Sequence, residues 1–195
     1  MEENNRIRAV IVGIPGVGKT TVISKVKRIL ADKGLNLGVA VFGTLMFEEA
    51  CKKGVKNRDE MRNLTIHEQR QLQENAAKRI AMMDENIVII DTHLFIKTSQ
   101  WYYPGVPMHV SHIIKPTHFL LIMAEPDEIV RRRQEDNSRN RDLVSEQAIK
   151  SEIEISKMMV IASANLTGSP FAIAMNSTNE SDNVAQEIVE ILVGK

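Results

Sequence analysis

The sequence predicts an α/β fold: a five-stranded parallel sheet with helices on both faces. Three observations lead there. Short apolar runs at 9–12, 37–42, 87–90, 117–124 and 171–175 alternate with longer stretches of helical periodicity. The chain between successive runs is long enough for right-handed crossovers, which parallel strands require. The first run also leads directly into Gly-Ile-Pro-Gly-Val-Gly-Lys-Thr-Thr at 13–21, a glycine-rich turn that opens a helical pattern.

In chain order, Ala9 to Val12 reads as a buried strand, and the helix after the turn places Val22, Ile23, Val26, Ile29 and Leu30 on one face. Asp32-Lys33-Gly34 ends it. Leu37 to Phe42 is the second strand; Gly43-Thr44 follows, Leu45 to Ala50 is helical, and Gly54 breaks that helix. Asn57 to Arg62 is a short charged segment. Thr65 is an N-cap, with Glu68 completing a capping box, so a helix runs over 66–83 with Leu72, Ala76, Ile80 and Met83 inward. Ile87 to Ile90 is a buried strand ending in Asp91-Thr92-His93. Lys97 to Pro107, with Trp101, Tyr102 and Tyr103, reads as a loop between strand and helix. Thr117 to Ala124 is the fourth strand, and Pro126 sits in the first turn of a helix that ends in Arg131-Arg132-Arg133. A polar stretch follows, then a long helix over 145–166, a break at Gly168-Ser169-Pro170 and a last strand over 171–175. A polar turn over 176–183 leads to a closing amphipathic helix over 184–193.

The length of 195 residues fits one domain, and 43% hydrophobic residues can build its core. Lys+Arg and Asp+Glu both total 25, which argues against a general binder of nucleic acid or membrane surfaces. The single cysteine, Cys51, cannot form an intramolecular disulfide; it reads as a small semi-buried apolar residue in a reducing, cytoplasmic protein. Met1 to Arg8 is too polar for a secretory signal, and no apolar run approaches the roughly 20 residues of a membrane span.

Gly13, Gly18, Lys19 and Thr20 complete the pattern G-x-x-x-x-G-K-[ST]. Glycines let such a turn bring successive N–H groups inward at the positive end of a helix dipole, which binds anions. The cradle would comprise Gly13, Ile14, Pro15, Gly16, Val17, Gly18, Lys19, Thr20 and Thr21, holding a nucleoside triphosphate such as ATP. Lys19 would reach the β- and γ-phosphates, and the Thr20 hydroxyl would face Mg²⁺. Asp91 closes a strand, where a carboxylate meets Mg²⁺ directly or through water. His93 either lines the phosphate-acceptor site or satisfies a loop backbone. His109 and His112 have metal-ligand spacing, but no cysteine or further carboxylate joins them, so no zinc is expected. Five arginines, Arg131, Arg132, Arg133, Arg139 and Arg141, read as a lid that neutralises phosphates, because guanidiniums bind phosphate oxygens bidentately. A small GTPase is excluded: Asn-Lys-x-Asp is missing, and Asp91 is followed by Thr-His-Leu. A compact phosphotransferase remains.

Here the chain resembles the archaeal-type adenylate kinases almost end to end. The resemblance rests on 13–21, on Phe-Gly-Thr-Leu-Met-Phe-Glu at 42–48, and on Arg-Asp-Glu-Met-Arg at 58–62. Ile-Asp-Thr-His at 90–93, Pro-Gly-Val-Pro at 104–107 and Arg-Asn-Arg-Asp at 139–142 extend it. It implies an NMP-kinase-type P-loop fold, reversible transfer from MgATP to AMP giving two ADP, and a part in adenine nucleotide homeostasis. It also implies an AMP-binding lobe near 43–75 and a short lid near 134–142. By similarity Gly43 and Thr44 line the AMP site, Arg58 and Arg62 approach its phosphate, and Arg133, Arg139 and Arg141 contact the transferring phosphates. The family includes trimers, which makes a homotrimer using the 97–114 region the expected assembly. Adenylate kinases commonly carry a further arginine after the lid; this chain has Lys150 and Lys157 there, and lysine cannot form the bidentate fork. The lid is too short for a Cys-lined zinc knuckle, so no structural zinc is expected. The rival readings are a kinase of another nucleoside monophosphate or of a hydroxyl compound, and a nucleotide-dependent RNA-binding module whose affinity falls steeply with salt.

Overall fold

The computed structural model describes residues 6–98, 101–135 and 145–194, except for the side chains of Asp59 and Arg62. The elements run β1 (Ile7–Val12), α1 (Lys19–Asp32), β2 (Leu37–Val41), α2 (Phe42–Cys51), α3 (Arg58–Arg62), α4 (Ile66–Ala81) and β3 (Ile87–Asp91). They continue with β4 (Phe95–Lys97), β5 (Tyr102–Pro104), α5 (Met108–Ile114), β6 (His118–Met123), α6 (Pro126–Glu135), α7 (Glu146–Thr167), β7 (Phe171–Met175) and α8 (Ser181–Val193).

Five strands form one parallel sheet in the order β2-β3-β1-β6-β7. Consecutive residues Ala9 to Val12 are all fully buried, so the sheet is covered on both faces and the inner strands need no polar alternation. Connection direction explains the covering. The chain steps from β1 to β2 one way, then crosses back through β3 and β6 to β7. Right-handed crossovers therefore put α1 on one face and the helices of the later crossovers on the other. Accordingly α4, α5 and α7 pack in succession, while α8, which follows the last strand, returns to pack on α1. The connections diverge between β1 and β6, which is where open sheets of this kind place a crevice at their C-terminal edge.

Several elements differ from expectation. The stretch read as a loop contains an antiparallel hairpin, in which Phe95, Ile96 and Lys97 pair with Pro104, Tyr103 and Tyr102. Three-residue strands are too short to leave a periodic signature. Phe95 and Tyr102 meet edge to face across it, ring centroids 5.2 Å apart. Helix α2 starts at Phe42, directly off β2, which puts Gly43 and Thr44 inside its first turn. Cys51 is exposed at the end of that helix rather than semi-buried, because helix phase turns it to solvent while its neighbours Glu49 and Ala50 are buried. The capping box forms as expected: Thr65 Oγ1 accepts from the Glu68 N–H, and the Glu68 carboxylate accepts from the Thr65 N–H at 2.8 Å. Ser145 likewise caps α7.

Candidate active site

Strand β1 delivers the chain to the sheet edge at Val12, and the glycine turn carries it into α1. Gly16 and Gly18 hold φ values of 96° and 87°, open to glycine and strained for other residues. A Cβ on Gly18 would also lie 2.5 Å from Asn176 Nδ2. No side chain caps α1 and no acidic residue occupies its first turn, so its leading N–H groups remain available to an anion.

The loop carbonyls are held from outside. Pro15 O accepts from Arg133 Nε at 2.8 Å. Val17 O accepts from Asn176 Nδ2 at 2.7 Å and from Arg132 Nη1 at 3.5 Å. Arg132 also donates to Asn176 O and pairs with Glu128, which accepts from Thr178. Carbonyls fixed outward favour amides turned inward, the arrangement of an anion nest.

Lys19 is buried, 8% exposed, and donates to Gly13 O at 3.2 Å. Its ammonium lies 3.7 Å from Asp91 Oδ1 and 3.4 Å from His93 Nε2. An ammonium only donates, so that imidazole nitrogen faces it as an acceptor. Burial pushes the Asp91 carboxyl above its usual range, and the charge of Lys19 opposes the shift. Asp91 is level with Ile11 on one side and Val41 on the other, which places it at the sheet edge between β1 and β2. Thr20, exposed in the first turn of α1, adds a hydroxyl on the same edge. A hydroxyl and a carboxylate are hard oxygen donors of the kind Mg²⁺ takes, so the residues fit that ion.

His93 is held in place by the hairpin. Gly105 N–H donates to Leu94 O at 2.8 Å, and a Cβ on Gly105 would fall 1.8 Å from His93 O. Gln73 of α4 donates to Pro104 O at 3.0 Å and holds the same open end of the hairpin, where Pro104 pairs with Phe95. One strand over, Arg58 donates to Thr44 Oγ1 at 2.8 Å, and its guanidinium lies 5.7 Å from the Phe47 ring centroid. Arg58 Nη1 is also the atom nearest a Cβ built on Gly43, at 3.8 Å, so Gly43, Thr44 and Arg58 come together.

The structure thus gathers Lys19, Thr20, Asp91, His93 and the loop 13–18 at one edge, with Arg133 against the loop. Arg139 and Arg141 lie outside the described residues, as does the Arg62 side chain. Lys150 and Lys157 pair with Glu146 and Glu154 on the surface of α7. Sequence reasoning missed Asn176 and Glu152, whose partners lie far away in the chain, and read Arg132 with the phosphate-neutralising lid, whereas it donates to the carbonyls of Val17 and Asn176. Only one signal was available for Asn176: it follows a strand at the same edge as Asp91.

Solved structures agree on the class. A shikimate kinase from Acinetobacter baumannii in complex with shikimate matches with a TM-score of 0.61 at 14% identity, covering 96% of this chain and 93% of that one. A sugar kinase from Janibacter sp. HTCC2649 matches with a TM-score of 0.53, also at 14% identity, covering 97% of this chain and 96% of that one. At such identities the likeness is one of fold, that of the P-loop kinases. A family model described as an AAA domain matches residues 12–150. Sequence relatives narrow the class. The adenylate kinase of Saccharolobus solfataricus is 39% identical over 191 residues, covering 94% of this chain and 98% of that one. Those of Methanocaldococcus jannaschii and Thermoplasma acidophilum are each 40% identical, over 185 and 187 residues, covering 94% and 95% of this chain and 96% and 98% of their own. The chain belongs to the adenylate kinase family.

Proposed function

We propose that the sheet-edge site transfers the γ-phosphoryl group of ATP to AMP, reversibly, giving two ADP. The observation that carries this is the uncapped start of α1, with Lys19 buried at its first residue beside Asp91. The cradle of residues 13–21 receives the triphosphate, and Lys19 moves from Gly13 O to the β- and γ-phosphate oxygens. Thr20 and Asp91 hold Mg²⁺, which supplies charge neutralisation for those oxygens. AMP sits in a lobe spanning about 43–75. There Gly43 and Thr44 line its site, Arg58 and Arg62 meet its phosphate, and His93 faces the acceptor. Arg133, Arg139 and Arg141 surround the moving phosphoryl group, with a short lid at about 134–142.

The acceptor oxygen of AMP is already anionic, so transfer needs alignment and charge neutralisation rather than a strong base. Lid closure excludes water and suppresses hydrolysis. The protein works in the cytoplasm as a homotrimer, whose contacts use the exposed Trp101, Tyr102 and Met108. Among the described residues no helix is long and apolar enough to cross a membrane.

The test is a coupled assay of ADP formation from MgATP with AMP, CMP, UMP, GMP or shikimate as acceptor. AMP-dependent formation of two ADP is expected. Transfer only to another acceptor overturns the AMP assignment. ATP binding without transfer to any acceptor overturns the phosphotransferase reading.

A further inference from the structure

Beyond the residues already assigned, a buried carboxylate on α7 joins three segments around the phosphate loop. We propose that Glu152 is a positioning residue for phosphoryl transfer, acting through Arg133 and Lys97. The inference rests on the phosphotransferase reading above.

Glu152 is 7% exposed and lies on the inward stripe of α7 with Ile149, Ile153 and Ser156. A carboxylate at such a position loses its hydration, a cost offset only by the cations it meets. What the charge does is gather cations. Its Oε2 lies 3.3 Å from Arg133 Nη2, and its Oε1 lies 3.7 Å from Lys97 Nζ. The two cations come from opposite sides of the site. Arg133 belongs to α6, at the threshold of the lid region, and Lys97 to β4, six residues beyond Asp91.

Arg133 is fixed at two points. Its Nε donates to Pro15 O at 2.8 Å and its Nη2 meets Glu152 at 3.3 Å. A planar guanidinium held along one edge and at one tip has a set direction, and Nη1 has no partner among the described residues. Glu152 therefore keeps that group beside the phosphate cradle before any nucleotide arrives. The shared carboxylate also offsets repulsion between Arg133 and Lys97. The sequence lacks an arginine on α7; this carboxylate instead recruits cations from the two neighbouring segments.

The test compares Glu152→Gln and Glu152→Leu with the wild type for melting temperature, kcat and KM for MgATP and AMP. The expected result is a fall in kcat of about tenfold to a hundredfold in both variants. The KM values should move by less than about threefold, and the Gln variant, which keeps an oxygen for Arg133, should melt closer to the wild type than the Leu variant, which leaves that guanidinium uncompensated. Combining Glu152→Gln with Arg133→Ala should lower kcat little further than Arg133→Ala alone, as expected for residues acting as a unit. A folded Leu variant with wild-type kcat overturns the proposal, as do losses that simply multiply in the double variant. A folded Gln variant with wild-type kcat overturns it as well, even where the Leu variant does not fold. Absence of transfer in the wild type sinks the parent reading instead, so the two failures are distinguishable.

Discussion

The donor and acceptor walls of the proposed site are built differently. On the donor wall, the loop 13–18 is braced from behind by Arg132, Arg133 and Asn176, each bonded to a loop carbonyl. Asn176 is buried and Lys19 nearly so. On the acceptor wall, Thr44 and Arg58 meet through one solvent-facing hydrogen bond and a ring contact with Phe47. The difference teaches that the donor half is preorganised by the core, whereas the acceptor half is left to be ordered by its ligand. Damage to the braces of the first should therefore reach stability as well as turnover, and damage to the second should stay in substrate binding.

The largest expected effect is that of Lys19→Met. Turnover should fall by about a thousandfold, since it removes the charge aimed at the transferring phosphate. Methionine retains most of the buried stem, so melting should change little; near wild-type turnover would remove Lys19 from its role. Next comes Gly18→Ala, which forces a side chain onto φ 87° and into Asn176. A loss of about 1–3 kcal/mol is expected in denaturant titration, together with lost ATP binding. Asn176→Ala should cost less, about 1–2 kcal/mol. It removes a bond to Val17 O, but it also removes an Oδ1 that is buried without a partner among the described residues. If this variant were as stable as wild type, the contrast between the walls would lose its donor half.

Arg58→Ala tests the other side. It should raise KM for AMP about tenfold, near 1.4 kcal/mol, and leave melting and the KM for ATP unchanged. A lowered melting temperature would show the acceptor wall to be braced as well. The smallest effect concerns acid. Hydrogen bonding from the Thr178 hydroxyl, helped by its N–H and by Arg132, holds the Glu128 carboxyl below its usual range. A depressed folded pKa means the contribution is complete above the unfolded value, near 4.3, and is lost as pH falls through the folded one. Its donors are mainly the neutral hydroxyl and amide of Thr178, so its contribution stays at about 1 kcal/mol. Wild type should melt slightly above Glu128→Gln at neutral pH, and the gap should close in acid.

Much of the donor half was legible because its signals are local. The apolar runs of β1, β3 and β6 and the 13–21 pattern each occupy a few consecutive residues. Its braces were not legible, because a carbonyl has no residue identity to read and Asn176 finds Val17 159 positions away. The start of α2 was misplaced for a related reason. Its N-cap is Val41, which makes no side-chain capping bond, so none of the usual Ser, Thr or Asp markers announces the helix. Cys51 was misread because composition suggests burial for cysteine, whereas helix phase turns this one to solvent. The Glu152 cluster needed the fold itself, since its three charges come from β4, α6 and α7.

The junction of β2 and α2 has a mechanical consequence. The strand ends at Val41 and the helix begins at Phe42, leaving no slack for a joint. The proposed AMP lobe, attached this way, would move as a lever whose fulcrum is the sheet edge. Force on α2 is carried into Val41, and Val41 is the register neighbour of Asp91. Any swing of that lobe is thus geared to the carboxylate beside Lys19.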